Sequence, residues 1–219
     1  ADAPAETDAD RQIPPHPIDA LHTLAAQTLG IATSDIADLT VFKRSFDARK
    51  AHLLVVYIVD VTLADPSQEA ALLAQHAKHA HIQPTPDMGW RAPVHAPSDW
   101  GANEGERPVV VGFGPCGLFA ALVLAQMGFQ PIVIERGPTV RQRTKDTWDL
   151  WRKQQLHPES NVQFGEGGAG TFSDGKLYSQ IKDPRHLGRK VMQEFVQAGA
   201  PEEILYAAHP HIGTFKLVK

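Results

Sequence analysis

The chain has 219 residues, of which 42% are hydrophobic, and it carries a formal net charge of −4. This composition supplies core material for one large or two modest domains, but no overall basic surface for nucleic acid. Because Cys116 is the single cysteine, an intrachain disulfide is excluded, and no apolar run reaches the roughly 18 residues that a membrane span needs. We expect a cytoplasmic protein without membrane contact, and a nucleic-acid partner is not expected.

The first part of the chain predicts a small α/β sandwich domain. Residues 1–15 are acidic and contain proline, which is typical of a disordered tail. Residues 16–82 then give a helix from Ile18, two β-branched strands, "LTVFKR" (39–44) and "AHLLVVYIVDVTL" (51–63), and a second helix after the "DPSQ" cap. The histidines of "QHAKHAH" (75–81) lack a carboxylate or cysteine at ligand spacing, so no metal site is predicted.

Residues 83–106 interrupt this periodicity. They contain five prolines together with Trp90 and Trp100. Such a stretch is typical of a stiff interdomain linker. The two tryptophans indicate that it lies against a surface.

A phosphate-binding pattern follows the linker. Val109–Val111 predict a short buried strand, and "GFGPCG" (112–117) matches G-x-G-x-x-G before a predicted helix, Leu118 to Met127. In this pattern Gly112 allows the tight turn, Gly114 lets the backbone approach a pyrophosphate, and Gly117 allows close packing of helix on strand. Helix N–H groups that lack partners attract phosphate. Glu135 ends the next strand, "PIVIE", and would accept hydrogen bonds from ribose hydroxyls. The pattern fits NAD or FAD, and a plain βαβ unit with a glycine turn is the structural alternative.

The same residues resemble the two-dinucleotide-binding flavoproteins, in which proline follows the second glycine (Pro115) and arginine follows the acid (Arg136). A longer stretch, "SNVQFGEGGAGTFSDGKL" (160–177), resembles the glycine-rich segment of the FAD-dependent dehydrogenase-like proteins, also called NAD(FAD)-utilizing dehydrogenases. The similarity extends to "KRSFDARK" (43–50), to Arg143 and to "HPHIGT" (209–214), where Phe215 replaces the usual aspartate. It implies an FAD-dependent oxidoreductase with a Rossmann-like FAD-binding domain over residues 107–219, and NADH or NADPH as an electron donor.

The glycine-rich segment predicts close contact between backbone and cofactor. Gly165, Gly167, Gly168 and Gly170 present N–H groups where a side chain would collide with a flavin or a phosphate. Thr171 adds a hydroxyl contact, and a flexible surface loop is the alternative. The expected cofactor site therefore comprises Gly112, Gly114, Pro115, Cys116, Gly117, Glu135, Arg136, Arg143, Gly167, Gly168, Gly170 and Thr171.

Several side chains of this region have simpler interpretations. Cys116 is expected to be a small buried residue at a packing position. Arg143, on a predicted helix from Pro138, is expected at the surface, with a phosphate contact as the less favoured alternative. Lys176 is expected to be a solvated lysine after a turn, and no catalytic acid or base is predicted.

A Rossmann-like domain needs more βαβ units than this sequence supplies, so we expect an incomplete amino-terminal portion of a longer flavoprotein. Half of the cradle would then be missing, and the chain alone should hold FAD weakly or not at all. Two alternatives stay open for the whole protein. One is a non-enzymatic dinucleotide sensor or scaffold, and the other is a flavoenzyme that acts on RNA, with the small domain as its RNA contact. The substrate is not predictable.

Overall fold

The computed structural model describes residues 15–49, 51–101 and 106–218. Within these ranges the protein is a mixed α/β structure with two two-stranded sheets and six α-helices, which confirms the predicted α/β class. The chain divides into two compact units, one ending at Pro86 and the other beginning at Asp87. Nearly all of the predicted tail, residues 1–14, lies outside the described residues.

The first unit contains a helix, an antiparallel hairpin and a short second helix. Helix α1 spans Ile18–Leu29, and strands β1, Ile36–Asp47, and β2, Leu54–Leu63, pair antiparallel with two register shifts. Helix α2 spans Glu69–Gln75. Gly30 ends α1 because it adopts φ +71° and donates its N–H to carbonyls of the last turn. Each strand is longer or shorter than its predicted run by several residues.

The core of the first unit lies between α1 and one face of the hairpin. Leu21 and Ala26 of α1 pack with Ile36 and Leu39 of β1, and Tyr57, Val59 and Val61 of β2 add partly buried contacts. These residues are apolar at helical spacing on α1 and at every second position on β2. The opposite face of β2 leaves Val56 and Ile58 exposed.

The second unit begins its regular structure with a β-α-β arrangement. Strand β3, Val109–Val111, pairs in parallel with β4, Ile132–Ile134, and helix α3, Pro115–Gln126, connects them. A parallel pair needs such a crossover because a hairpin turn cannot join strands of the same direction. The remaining helices are α4, Val140–Lys153, α5, Leu187–Gln197, and α6, Thr214–Leu217.

The expectation that β3 is buried is wrong. Val109 is 54% exposed and Val111 is 82% exposed, and Ile134 of β4 is exposed as well. An unbroken apolar run is typical of strands that are covered on both faces of a larger parallel sheet. Among the described residues β3 pairs only with β4, so the apolar side chains remain accessible.

Residues 87–101, which belong to the predicted linker, contact the second unit. The Trp100 indole donates to the Phe129 carbonyl at 3.0 Å and meets the Phe129 ring edge-to-face. Lys190 lies over the Trp90 ring at 4.6 Å. The predicted packing of the two tryptophans against a surface is therefore confirmed.

Two further observations concern membrane and metal binding. Over the described ranges the helices are too short or too polar to cross a membrane. The same residues hold no group of three or more histidine, cysteine, aspartate or glutamate side chains that could bind a metal ion. His76, one of the clustered histidines, instead contacts the Leu29 carbonyl at 2.9 Å.

Candidate functional site

The turn after β3 brings the G-x-G-x-x-G motif to the start of α3. Gly112 adopts φ +95° and donates its N–H to the Ile134 carbonyl of β4 at 2.7 Å. Gly114 is the N-cap residue, and α3 begins at Pro115, three residues before the predicted start. Proline is favoured at the first helical position because that position needs no N–H donor. The first turn of α3 therefore directs its free N–H groups toward the turn.

The three motif glycines have different structural reasons. Gly112 needs its positive φ, a conformation that L side chains rarely adopt. A β-carbon at Gly117 would stand 2.0 Å from the Gly112 carbonyl oxygen, so the fold requires glycine there. Gly114 has an ordinary φ of −75°, and its β-carbon would approach the protein no closer than 3.7 Å, at the Gly168 α-carbon. The fold itself therefore does not require glycine at position 114.

Glu135 points its carboxylate at the same turn. One oxygen accepts the Phe113 N–H at 2.6 Å, and the other accepts the Gly137 N–H at 2.7 Å. These bonds favour the ionised form, and the Gly137 N–H contributes most to a lowered pKa of Glu135, against the opposing effect of burial. Further lowering comes from the N–H groups of Phe113 and Arg136 and from the charge of Arg143. The carboxylate is therefore a fixed anion that retains free lone pairs for further donors.

The glycine-rich segment packs against the motif turn. The Gly167 N–H donates to the Phe113 carbonyl at 2.8 Å, and a β-carbon at Gly168 would stand 3.1 Å from the Gly114 α-carbon. Gly165, Gly167 and Gly168 all have positive φ. The segment is thus an ordered part of the second unit, and the alternative of a flexible glycine loop is not what the structure shows.

Together these elements enclose a cavity of about 310 Å³. Five residues of the predicted set line it: Gly112, Gly114, Glu135, Arg136 and Gly168. Phe113, Gln163, Phe164 and Gly165 line it too, and of these only Gly165 carried a sequence signal, as a glycine of the rich segment. The phenylalanines and Gln163 were missed because only their neighbours fit a pattern.

The other predicted site residues stand beside or behind this cavity. Pro115, Cys116 and Gly117 form the first turn of α3. Cys116 is exposed, so the expectation of a buried packing residue is wrong, because the first turn leaves this side chain on the outside. Gly167 and Thr171 contact each other, since a β-carbon at 167 would meet the Thr171 hydroxyl at 2.1 Å. Gly170 approaches Pro115 without crowding it, at 4.0 Å.

Arg143 has no exposed surface at all, so the expectation of a surface arginine is wrong. Its guanidinium donates to backbone carbonyls of the glycine-rich segment and to the Thr171 hydroxyl; the carbonyls are those of Asn161, Val162, Glu166 and Gly168. Burial lowers the pKa of Arg143, whereas the Glu135 and Glu166 carboxylates raise it. An arginine remains protonated under such conditions, so a buried positive charge stands behind the segment.

Arg136 lies at the rim of the cavity. Its guanidinium is 4.7 Å from the Phe164 ring centroid, over the ring face. The Nε atom also pairs with Glu159 at 2.9 Å, although both side chains are largely exposed. Stacking of a guanidinium on an aromatic ring holds both groups in place, so the rim of the cavity is cationic and flat.

Lys176 and the "HPHIGT" segment form a separate small arrangement. The backbone at 174–177 pairs with 210–213, for example through the Leu177 N–H and the Pro210 carbonyl at 3.0 Å. The Lys176 side chain is 59% exposed, which confirms the expected solvated lysine. It does not belong to the lining of the cavity.

Comparisons with known proteins give similarity without an activity. Residues 10–62 match a family described as a domain of unknown function, DUF8436. An uncharacterized protein of Clostridium beijerinckii is 41% identical over 199 residues, which are 90% of this chain and 35% of that protein. The chain therefore spans about a third of the length of this relative.

Proposed function

We propose that the second unit binds the ADP half of FAD and forms the amino-terminal part of an FAD-dependent oxidoreductase. The proposal depends chiefly on Gly114. Gly112 and Gly117 are glycines for conformational and packing reasons, whereas Gly114 has room for a methyl group within the protein. A missing side chain beside the start of α3 leaves space for the close approach of a pyrophosphate.

The neighbouring groups suit the two ends of an ADP moiety. The free N–H groups of the first turn of α3 and the positive end of its dipole attract phosphate. Glu135 is ionised and stands at the turn, where its free lone pairs can accept ribose hydroxyl donors. Phe164 and the Arg136 guanidinium offer flat surfaces to the adenine ring. The cavity size is on the scale of known small-molecule sites, which start at about 300 Å³.

The oxidoreductase part of the proposal extends beyond the described residues. The β3-α3-β4 arrangement is the first βαβ unit of a Rossmann-like domain in this proposal, and further strands of a longer protein would cover the exposed valines of β3. The greater length of the Clostridium relative supports this extension. Bound FAD would supply hydride transfer, with NADH or NADPH as donor, while the residues of this chain hold and orient its ADP half.

Binding of ADP to the chain tests the proposal directly. Titration with millimolar ADP should shift the backbone amide NMR signals of residues 112–117 and of Glu135, with adenosine as the weaker ligand. The Gly114→Ala variant should keep the spectrum of a folded protein and lose these shifts. If ADP leaves the amides of 112–117 unchanged in the wild-type chain, the proposed site is wrong. Bleaching of flavin absorbance by NADH or NADPH in the full-length Clostridium relative tests the redox part.

A further inference from the structure

The glycine-rich segment is organised around one buried side chain. Arg143 of α4 contacts backbone carbonyls at four positions between 161 and 168. These residues lie 18 to 25 positions further along the chain, so the contacts fix a loop and not the helix that carries the arginine. The carbonyl oxygens face a guanidinium that has no exposed surface.

Sterics give the same relation from the side of the loop. Gly165 has φ +105°, and a β-carbon there would stand 2.5 Å from the Arg143 Cδ atom. The arginine stem therefore occupies the space that a side chain at 165 would need. Gly165 also lines the cavity, so the same residue contacts Arg143 on one side and the cavity on the other.

Charge connects Arg143 with the cavity as well. The Glu135 carboxylate, which lines the cavity, is close enough for its charge to be felt by the guanidinium. Within a protein such interactions are stronger than in water. Four carbonyl dipoles point their negative ends at the arginine, and these oxygens are thereby turned toward the buried cation.

We propose that Arg143 is a positioning residue, which holds residues 161–168 in the conformation that lines the cavity and places a permanent positive charge behind it. The cavity then favours a phosphate-bearing ligand over a neutral nucleoside. The identity of that ligand rests on the proposed function, whereas the positioning role does not. Arg143 does not itself contact the ligand in this proposal, because the segment lies between them.

Two substitutions separate position from charge. Arg143→Gln removes the charge and most donors, and Arg143→Lys keeps the charge but cannot serve four carbonyls. Arg141→Gln, at an exposed position of the same helix, is the matched control. Hydrogen exchange of residues 160–172 reports the order of the segment, and the ratio of ADP to adenosine affinity reports the effect of charge.

We expect faster exchange at 160–172 in both Arg143 variants and unchanged exchange in the control. The ADP-to-adenosine preference should fall by about threefold or more in Arg143→Gln and stay near the wild-type ratio in Arg143→Lys. A structural role alone would weaken both ligands equally. Circular dichroism identifies a variant that does not fold, and the Arg143→Lys exchange data then decide the positioning role.

The outcomes are distinguishable from those of the proposed function. Unchanged exchange at 160–172 in a folded Arg143→Gln or Arg143→Lys protein would overturn the positioning role. An unchanged affinity ratio in Arg143→Gln would overturn the electrostatic role. If the wild-type chain binds neither ADP nor adenosine, the proposed function fails, and the exchange measurement still confirms or overturns the positioning role of Arg143.

Discussion

The α-carbon of Gly117 packs directly on the carbonyl of Gly112, so that a β-carbon at 117 would stand 2.0 Å from the carbonyl oxygen. No rotamer change relieves this overlap, because both partners are backbone. The first turn of α3 is therefore locked to the end of β3. This contact determines where the free N–H groups of the helix point.

Gly117→Ala should destabilise the chain, by about 1–3 kcal/mol, because the helix must move to admit the methyl group. Gly114→Ala should change stability by no more than about 0.5 kcal/mol, since its methyl group meets only ordinary contacts. Urea unfolding of both variants checks this pair. Equal stability losses for the two would contradict the separate roles given to these glycines.

The lowered pKa of Glu135 makes part of the stability depend on pH. Its folded pKa lies below the ordinary value of 4.5, so its contribution is fully present above that value and is lost as the pH falls through the folded pKa. Glu135→Gln should be less stable than wild type at neutral pH, and the difference should shrink at about pH 3. Urea unfolding at both pH values measures it. Glu202→Gln, at an exposed position without a resolved shift, should show no such trend.

Glu166 and Glu159 provide a matched pair in the glycine-rich segment. Glu166 accepts the Val140 N–H at 2.6 Å and so caps α4 from a distance in sequence. Glu159 only pairs with Arg136 at the surface. We expect Glu166→Ala to lower the free energy of unfolding by about 1 kcal/mol, the usual effect of a lost cap. Glu159→Ala should have an effect below about 0.5 kcal/mol. A reversed order in thermal or urea unfolding would show that the cap is not formed.

Cys116 offers a chemical test of the cavity. It is the single cysteine and is exposed in the first turn of α3, beside the proposed phosphate position. ADP should slow its alkylation by iodoacetamide in proportion to the fraction of protein bound, because phosphate covers this turn. The Gly114→Ala variant should be alkylated at the same rate with and without ADP. Mass spectrometry of the single thiol gives the rate, and ADP-independent alkylation of wild type would place the ligand elsewhere.

Local patterns predicted the motif turn well. The glycine spacing, the proline and the acid at the strand end are all set within one βαβ unit, and Gly112, Gly117 and Glu135 have the geometry that such a unit requires. The sequence did not locate the start of α3 at Pro115. A proline–cysteine–glycine run has weak helix propensity, and the packing of Gly117 on the strand outweighs that propensity here.

Long-range contacts explain what the sequence did not predict. Arg143 resembles any charged residue on a polar helix, because its partners are backbone carbonyls that have no signature of their own. The nearby glycines were the available signal, since Gly165 yields its space to the arginine. Val111 was expected to be buried, but the burial of a strand depends on neighbours that its own residues do not encode.

The bare face of the β3–β4 pair has a practical consequence for purified protein. Val109, Val111 and Ile134 present a greasy strip next to unpaired strand edges, and such surfaces recruit one another in concentrated solution. Light scattering should therefore rise with protein concentration and with ammonium sulfate, which strengthens apolar association. Dilute, low-salt samples are accordingly the appropriate ones for spectroscopy on this chain.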